Sequence, residues 1–187
     1  MDLFGQLTTH DFGEVHVARD QASGLRAIVA IHDTRLGPAL GGCRFLHYDR
    51  EESALVDALR LARGMTYKAA LAGIDHGGGK SVLLRPRGHF DRVALFRAFG
   101  RFIDALGGHY ITAEDSGTSL EDMEVVRGVT RHVTGVSPQN GGSGDPSPFT
   151  ALGVRRGIEA CVKHRLGRSD LEGLHVAVQG VGHVGYF

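Results

Sequence analysis

The chain's 187 residues suffice for one large domain, or one domain with part of a second, around a buried core. Its 21 basic and 21 acidic residues cancel, which removes the global field that nucleic-acid or membrane-surface binding draws on. Two cysteines and 11 histidines without metal-ligand spacing argue against a metal site; with no apolar run near the roughly 20 residues of a membrane span and no signal-peptide pattern, a reduced, unexported, cytoplasmic protein is expected.

In chain order, Val15–Ala18 and Leu25–Ile31 are β-prone runs joined by a turn-rich connection ending in Gly24, which predicts a hairpin. The stretch from Asp33 to Gly42, interrupted by Gly37, Pro38, Gly41 and Gly42, predicts a loop. It is either an ordinary connection or one whose backbone approaches a ligand. Asp49 with Glu52 has capping-box spacing, and Leu55, Ala58, Leu59 and Ala62 recur at helical spacing behind it. Gly64 either ends that helix or sits inside it where another element packs closely. Continuation through Met65–Ala72 puts Lys68 on a mainly apolar segment ended by Gly73, where its ammonium must reach water or an anion.

Gly77, Gly78 and Gly79 are expected to let backbone come close to a ligand. Gly79-Lys80-Ser81 is not a phosphate loop: the position five before Gly79 is Ile74, and Val82–Leu84 with Pro86 reads as a strand entering a turn, not a helix. Asp91 is placed to cap a helix carrying the stripe Leu95, Phe96, Phe99, Phe102, Ile103 and Leu106, stopped by Gly107-Gly108. Tyr110–Ala113 reads as a short strand leading into Glu114 and Asp115. These are either acids placed for proton transfer at a strand end or solvated loop carboxylates. Ser119–Asp122 starts a short helix. From Gly135 to Pro148 the composition is that of a linker, a domain boundary or an ordered crossing; Ser147-Pro148 then opens a helix with Val154, Ile158, Cys161 and Val162 on one face. Leu174–Gln179 predicts a buried strand, and Gly180-Val-Gly182-His-Val-Gly185 after it is a dinucleotide fingerprint.

Taken together, G-P-A-L-G-G, D-A-L-R-L-A-R-G-M-T-Y-K-A-A-L-A-G-I-D-H-G-G-G-K, Y-I-T-A-E-D-S-G-T, V-T-G-V-S-P, G-D-P-S-P-F-T-A-L-G-V and V-A-V-Q-G-V-G-H-V-G resemble the amino-acid dehydrogenase superfamily, its leucine dehydrogenases above all. The resemblance runs over residues 10 to 187. It implies an α/β fold: a substrate-binding and oligomerisation domain with mixed sheet and flanking helices over 1–135, a crossing loop and connecting helix over 136–170, and over 171–187 the first strand of a Rossmann domain truncated within its fingerprint. It further implies Lys68 as the group binding the substrate carboxylate, aided by backbone at Gly41 and Gly42. Lys80 becomes the catalytic lysine and Asp115 the acid/base toward the amino group. Leu40 and Ala113 become side-chain pocket positions, Thr150 a residue of the loop that meets the nicotinamide, and Gly180, Gly182 and Gly185 the pyrophosphate turn. The implied reaction is NAD-dependent oxidative deamination of a branched-chain, leucine-like L-amino acid to a 2-oxo acid and ammonia. The implied assembly is a homo-oligomer, dimer or octamer, and no metal is implied. The alternative is a non-catalytic fragment that folds and self-associates, with the 187 residues alone inactive.

Overall fold

Asp20 opens the first turn by accepting from the backbone N–H of Ser23 (2.9 Å), and Gly24 closes it at φ 74°. That turn joins Glu14–Asp20 (β1) to Leu25–Asp33 (β2), antiparallel from Glu14 opposite Ile31 to Asp20 opposite Leu25, so the expected hairpin is present. The computed structural model describes residues 3–11, 13–142 and 144–187; the first two residues of the chain, position 12 and position 143 of the Gly/Pro-rich stretch lie outside the described residues. Contacts divide the chain into two compact units, Met1–Ser143 and Gly144–Phe187.

After a short helix, Leu3–His10 (α1), the first unit is built on a five-stranded sheet of order β1-β2-β4-β3-β5, adding Ala39–Leu46 (β3), Gly77–Leu84 (β4) and Tyr110–Glu114 (β5). β4 runs antiparallel to β2, and β3 runs parallel to both β4 and β5, so the sheet is mixed. Glu51–Ala72 (α2) links β3 to β4, and Arg92–Ala105 (α3) links β4 back past β3 to β5. Those two crossovers run in opposite directions along the sheet, and a right-handed connection then puts their helices on opposite faces. The core divides accordingly. Ile28, Ala30, Val82 and Leu84 pack against Ala54, Leu55, Ala58, Leu59 and Ala62 of α2. Val29, Phe45 and Leu83 pack against Leu95, Phe96, Phe99 and Ile103 of α3 and against Met123 and Val126 of Leu120–Arg127 (α4).

Three expectations need correction. Within the stretch 33–42 only 34–38 is a loop, because Asp33 ends β2 and Ala39, Leu40, Gly41 and Gly42 belong to β3. Gly41 is required by the sheet itself: a Cβ there would overlap the Gly79 carbonyl oxygen of β4. The run Gly77–Gly79 is closed by packing and does not hold backbone open to a ligand. A Cβ at Gly78 would overlap Thr66 and the Ala62 carbonyl of α2, and one at Gly79 would lie 2.7 Å from the Tyr110 ring. The capping box expected at Asp49 is absent, since Arg50 is the N-cap and makes no side-chain capping bond; a capping box forms at Ser119 and Asp122 instead. Gly64 sits within α2 with open space beside it, while Gly73 ends the helix at φ 67°. Asp91 caps α3 as the sequence predicts, accepting from Ala94 N at 3.0 Å.

The second unit contains Ser147–Leu166 (α5) and one helical turn, His183–Tyr186 (α6). Residues 174–179, expected as a buried strand, form no ladder among the described residues, and Val176 and Val178 are 57% and 64% exposed. A strand is stabilised by the hydrogen bonds and packing of neighbouring strands, and among the described residues no strand pairs with this segment. Among the described residues no helix is long and apolar enough to cross a membrane.

Candidate functional site

On the α2 side of the sheet, the buried strand residues beneath the helix come from β2 and β4, with Val15 of β1 packed against them. Strand alternation puts Leu40, Gly42 and Arg44 of β3, with Ile111 and Ala113 of β5, on that same face beside the helix, where all five are half-buried. They form a shelf. Lys80, opposite Ala30 in the ladder, projects on this face from the buried strand β4 and is only 5% exposed.

Asp115 follows the last residue of β5 and is fixed by its own turn. Its backbone N–H donates to Thr118 Oγ1 (2.8 Å), and that hydroxyl lies 3.0 Å from the Cys43 carbonyl of β3. Lys80 Nζ donates to Asp115 Oδ2 at 2.6 Å, and Arg44 Nε donates to the same oxygen at 3.2 Å. Behind them Arg44 Nη1 donates to Asp57 Oδ2 of α2 (2.9 Å), which also accepts from the Tyr48 hydroxyl (2.6 Å). Two cations thus face two carboxylates in a connected, partly buried cluster.

Burial opposes the charge on Asp115, but the Lys80 ammonium, its hydrogen bond, the Ser116 backbone and the Arg44 charge together outweigh it and hold the carboxyl below the usual range. Burial, then the Asp57 bond and charge, push the Tyr48 hydroxyl up, so it stays a donor. Arg44 also loses by burial, yet its two carboxylates raise its affinity for the proton on balance.

Lys68 lies on the exposed side of α2 and has no ion-pair partner among the described residues. It stands 11 residues after Asp57, which is three helical turns and about 20° of rotation, so both lie along one stripe of the helix. The structure therefore brings Lys80 and Asp115 into contact, puts Leu40, Gly42 and Ala113 on the same face of the sheet, and leaves Lys68 exposed on α2. Gly41 points to the opposite face, where its carbonyl accepts from the buried Tyr110 hydroxyl (2.5 Å).

Thr150, expected in a loop, is in the first turn of α5, with its hydroxyl donating to the Pro146 carbonyl (3.0 Å). Gly180 has φ 88°, a Cβ on Gly182 would meet nothing, and one on Gly185 would overlap the Gly180 carbonyl. The tight turn of the fingerprint is therefore formed, with space at its middle glycine, which fits the close approach of a pyrophosphate.

Sequence reasoning missed Arg44, Asp57 and Tyr48. The signal was present for Arg44: once 39–46 is taken as a strand, Leu40, Gly42 and Arg44 alternate onto one face. Reading that stretch as a loop hid the pattern.

A family model described as "Glu/Leu/Phe/Val dehydrogenase, dimerisation domain" matches residues 10–132. The chain is 56% identical over 186 residues to leucine dehydrogenase of Geobacillus stearothermophilus, covering 100% of this chain and 51% of that protein. It is 51% identical over 173 residues to valine dehydrogenase of Streptomyces virginiae, covering 92% and 48% respectively. Among solved structures it is similar to L-tryptophan dehydrogenase from Nostoc punctiforme, with TM-score 0.73, 43% identity, and coverage of 98% of this chain and 51% of that one. It is also similar to the hetero-hexameric glutamate dehydrogenase from Thermus thermophilus, with TM-score 0.75, 26% identity, and coverage of 93% and 45%. The chain spans about half the length of the curated relatives it matches.

Proposed function

The chain belongs to the Glu/Leu/Phe/Val dehydrogenase family, and we propose that it is the substrate-binding part of an NAD-dependent enzyme that oxidatively deaminates a leucine-like L-amino acid to a 2-oxo acid and ammonia. The observation that carries this reading is the buried lysine Lys80 held 2.6 Å from an ionised Asp115, beside the apolar residues Leu40, Ile111 and Ala113 of the shelf.

An α-amino acid brings a carboxylate, an ammonium and a side chain, and the site has a counterpart for each. Lys80 and Arg44 are already balanced by Asp115 and Asp57, so the uncommitted Lys68 is the cation left for the carboxylate. Asp115 faces the ammonium and accepts its proton, which frees the nitrogen lone pair. Leu40, Ile111 and Ala113 offer an apolar floor that suits a branched aliphatic side chain. Lys80 Nζ orients a water toward the substrate Cα and stabilises the oxygen as it becomes a carbonyl; as its hydrogen bond turns from Asp115 to that oxygen, Asp115 becomes the stronger base. Gly180, Gly182 and Gly185 would hold the pyrophosphate of NAD, with Thr150 toward its nicotinamide; when bound, the nicotinamide supplies the acceptor for the hydride from Cα. Self-association through the first unit accords with the family's description as a dimerisation domain.

Replacing Lys80 with Ala in the full-length protein is expected to abolish turnover while the circular dichroism spectrum is unchanged. Retained turnover would overturn the assignment. For the 187 residues taken alone we infer self-association without turnover, favoured by the missing ladder at 174–179. Fluorescence titration with NADH beside light scattering checks it: tight NADH binding contradicts it, and an oligomer that binds no NADH supports it.

A further inference from the structure

We propose that Arg44 is a positioning residue that clamps Asp115 and helix α2 together, with Asp57 and Tyr48 as its backing. This rests on the reading of Asp115 as the proton-exchanging group. The guanidinium is planar, and its Nε and Nη1 point along fixed, divergent directions. Nε donates to Asp115 (3.2 Å) and Nη1 to Asp57 on α2 (2.9 Å), so one rigid group spans β3, the end of β5 and the helix. Tyr48 fixes Asp57 in turn through its hydroxyl (2.6 Å), which holds the far end of the clamp.

Two consequences follow from that geometry. Asp115 sits after its strand has ended, so its side-chain direction depends on the turn at Thr118 and on its two cations. Lys80 must release Asp115 to act on substrate, and Arg44 is then the cation that keeps the carboxylate in place. The same guanidinium also ties down the α2 stripe that carries Lys68, so the carboxylate-binding and proton-exchanging groups are held in one frame. The titratable and charged groups around Asp115 are Lys80 from β4, Arg44 and the Cys43 thiol from β3, Asp57 from α2 and Tyr48 beyond it, and Glu114 before it in the chain. Of these, Arg44 and Lys80 lower its proton affinity.

The test is steady-state kinetics on the full-length protein with Arg44→Gln, Asp115→Asn and the double variant. Arg44→Gln is expected to lower kcat by about a hundredfold, the cost of a misplaced reacting group. Loss of a cation beside Asp115 should also move the acid limb of the kcat/KM pH profile upward. If Arg44 acts through Asp115, the double variant turns over no more slowly than Asp115→Asn alone. An unmoved acid limb, or fully additive losses, overturns the proposal. Should Arg44→Gln not fold, Arg44→Lys carries the test: it keeps a cation but cannot fork to two carboxylates, so kcat should fall at least tenfold with the acid limb in place, and wild-type kcat overturns the proposal. Asp115→Asn at wild-type turnover overturns the reading of the site itself; Asp115→Asn inactive with Arg44→Gln unimpaired overturns only the role of Arg44.

Discussion

Gly42 and Asp115 share one small space: a Cβ built on Gly42 would lie 2.7 Å from Asp115 Cβ and 2.9 Å from the Glu114 carbonyl oxygen. Backbone and a pinned side chain both stand in the way, so neither contact can be relieved by a rotamer change alone. Gly42→Ala is therefore expected to cost roughly 1–3 kcal/mol of stability, the usual range for overpacking. It should also displace Asp115 from Lys80 and lower kcat/KM by about a hundredfold. Thermal melting beside kinetics checks both, and unimpaired kcat/KM would show that Asp115 does not need this placement.

The contact explains what the sequence could and could not reveal. The α3 stripe was legible because Leu95, Phe96, Phe99 and Ile103 repeat at the helical period and are buried in the core. So was the hairpin, whose turn is local. β3 was not, because Gly41 and Gly42 look like loop residues until their partners are known, and those partners, Gly79 and Asp115, lie far along the chain. The glycines of β4 misled for the same reason: Gly78 is small to admit α2, a tertiary fact without a local signature. Asp49 has the spacing of a cap but is drawn to Arg87 instead (3.2 Å), while Ser119, with Asp122, forms the box. At 174–179 the pattern of a strand is present, and among the described residues no strand pairs with it. Lys80 and Asp115 were singled out from sequence; that they touch, and that Arg44 and Asp57 complete the cluster, required the register of β3, β4 and β5.

Acid should act on the fold through Asp115. Its folded-state pKa is depressed, with burial opposing and Lys80 and Arg44 more than compensating. A depressed carboxyl contributes stability that is fully present above its unfolded pKa and is lost as pH falls through the folded value. Asp115→Asn lacks that contribution and leaves the buried Lys80 ammonium without its carboxylate. The variant should be less stable than the parent at neutral pH, with the gap narrowing as pH drops below the ordinary carboxylate range. Urea melts at neutral and acidic pH measure it; a gap that widens on acidification would mean that folding raises the proton affinity of Asp115 instead of lowering it.

Lys68 should behave in the opposite way, mattering to substrate and hardly to the fold. It is exposed and has no ion-pair partner among the described residues, so Lys68→Ala should change stability by no more than about 0.5 kcal/mol. On the proposed function Lys68 is the cation for an incoming carboxylate, since Lys80 and Arg44 are already paired with Asp115 and Asp57. A charge-assisted hydrogen bond is worth about 1.5–3 kcal/mol, which predicts a rise in KM of roughly tenfold to a hundredfold. The loss should also appear with a 2-oxo acid in the reverse direction, because both substrates carry the carboxylate. It should shrink with an amino-acid amide, which does not. Equal losses with the amide would mean that Lys68 acts on something other than the carboxylate.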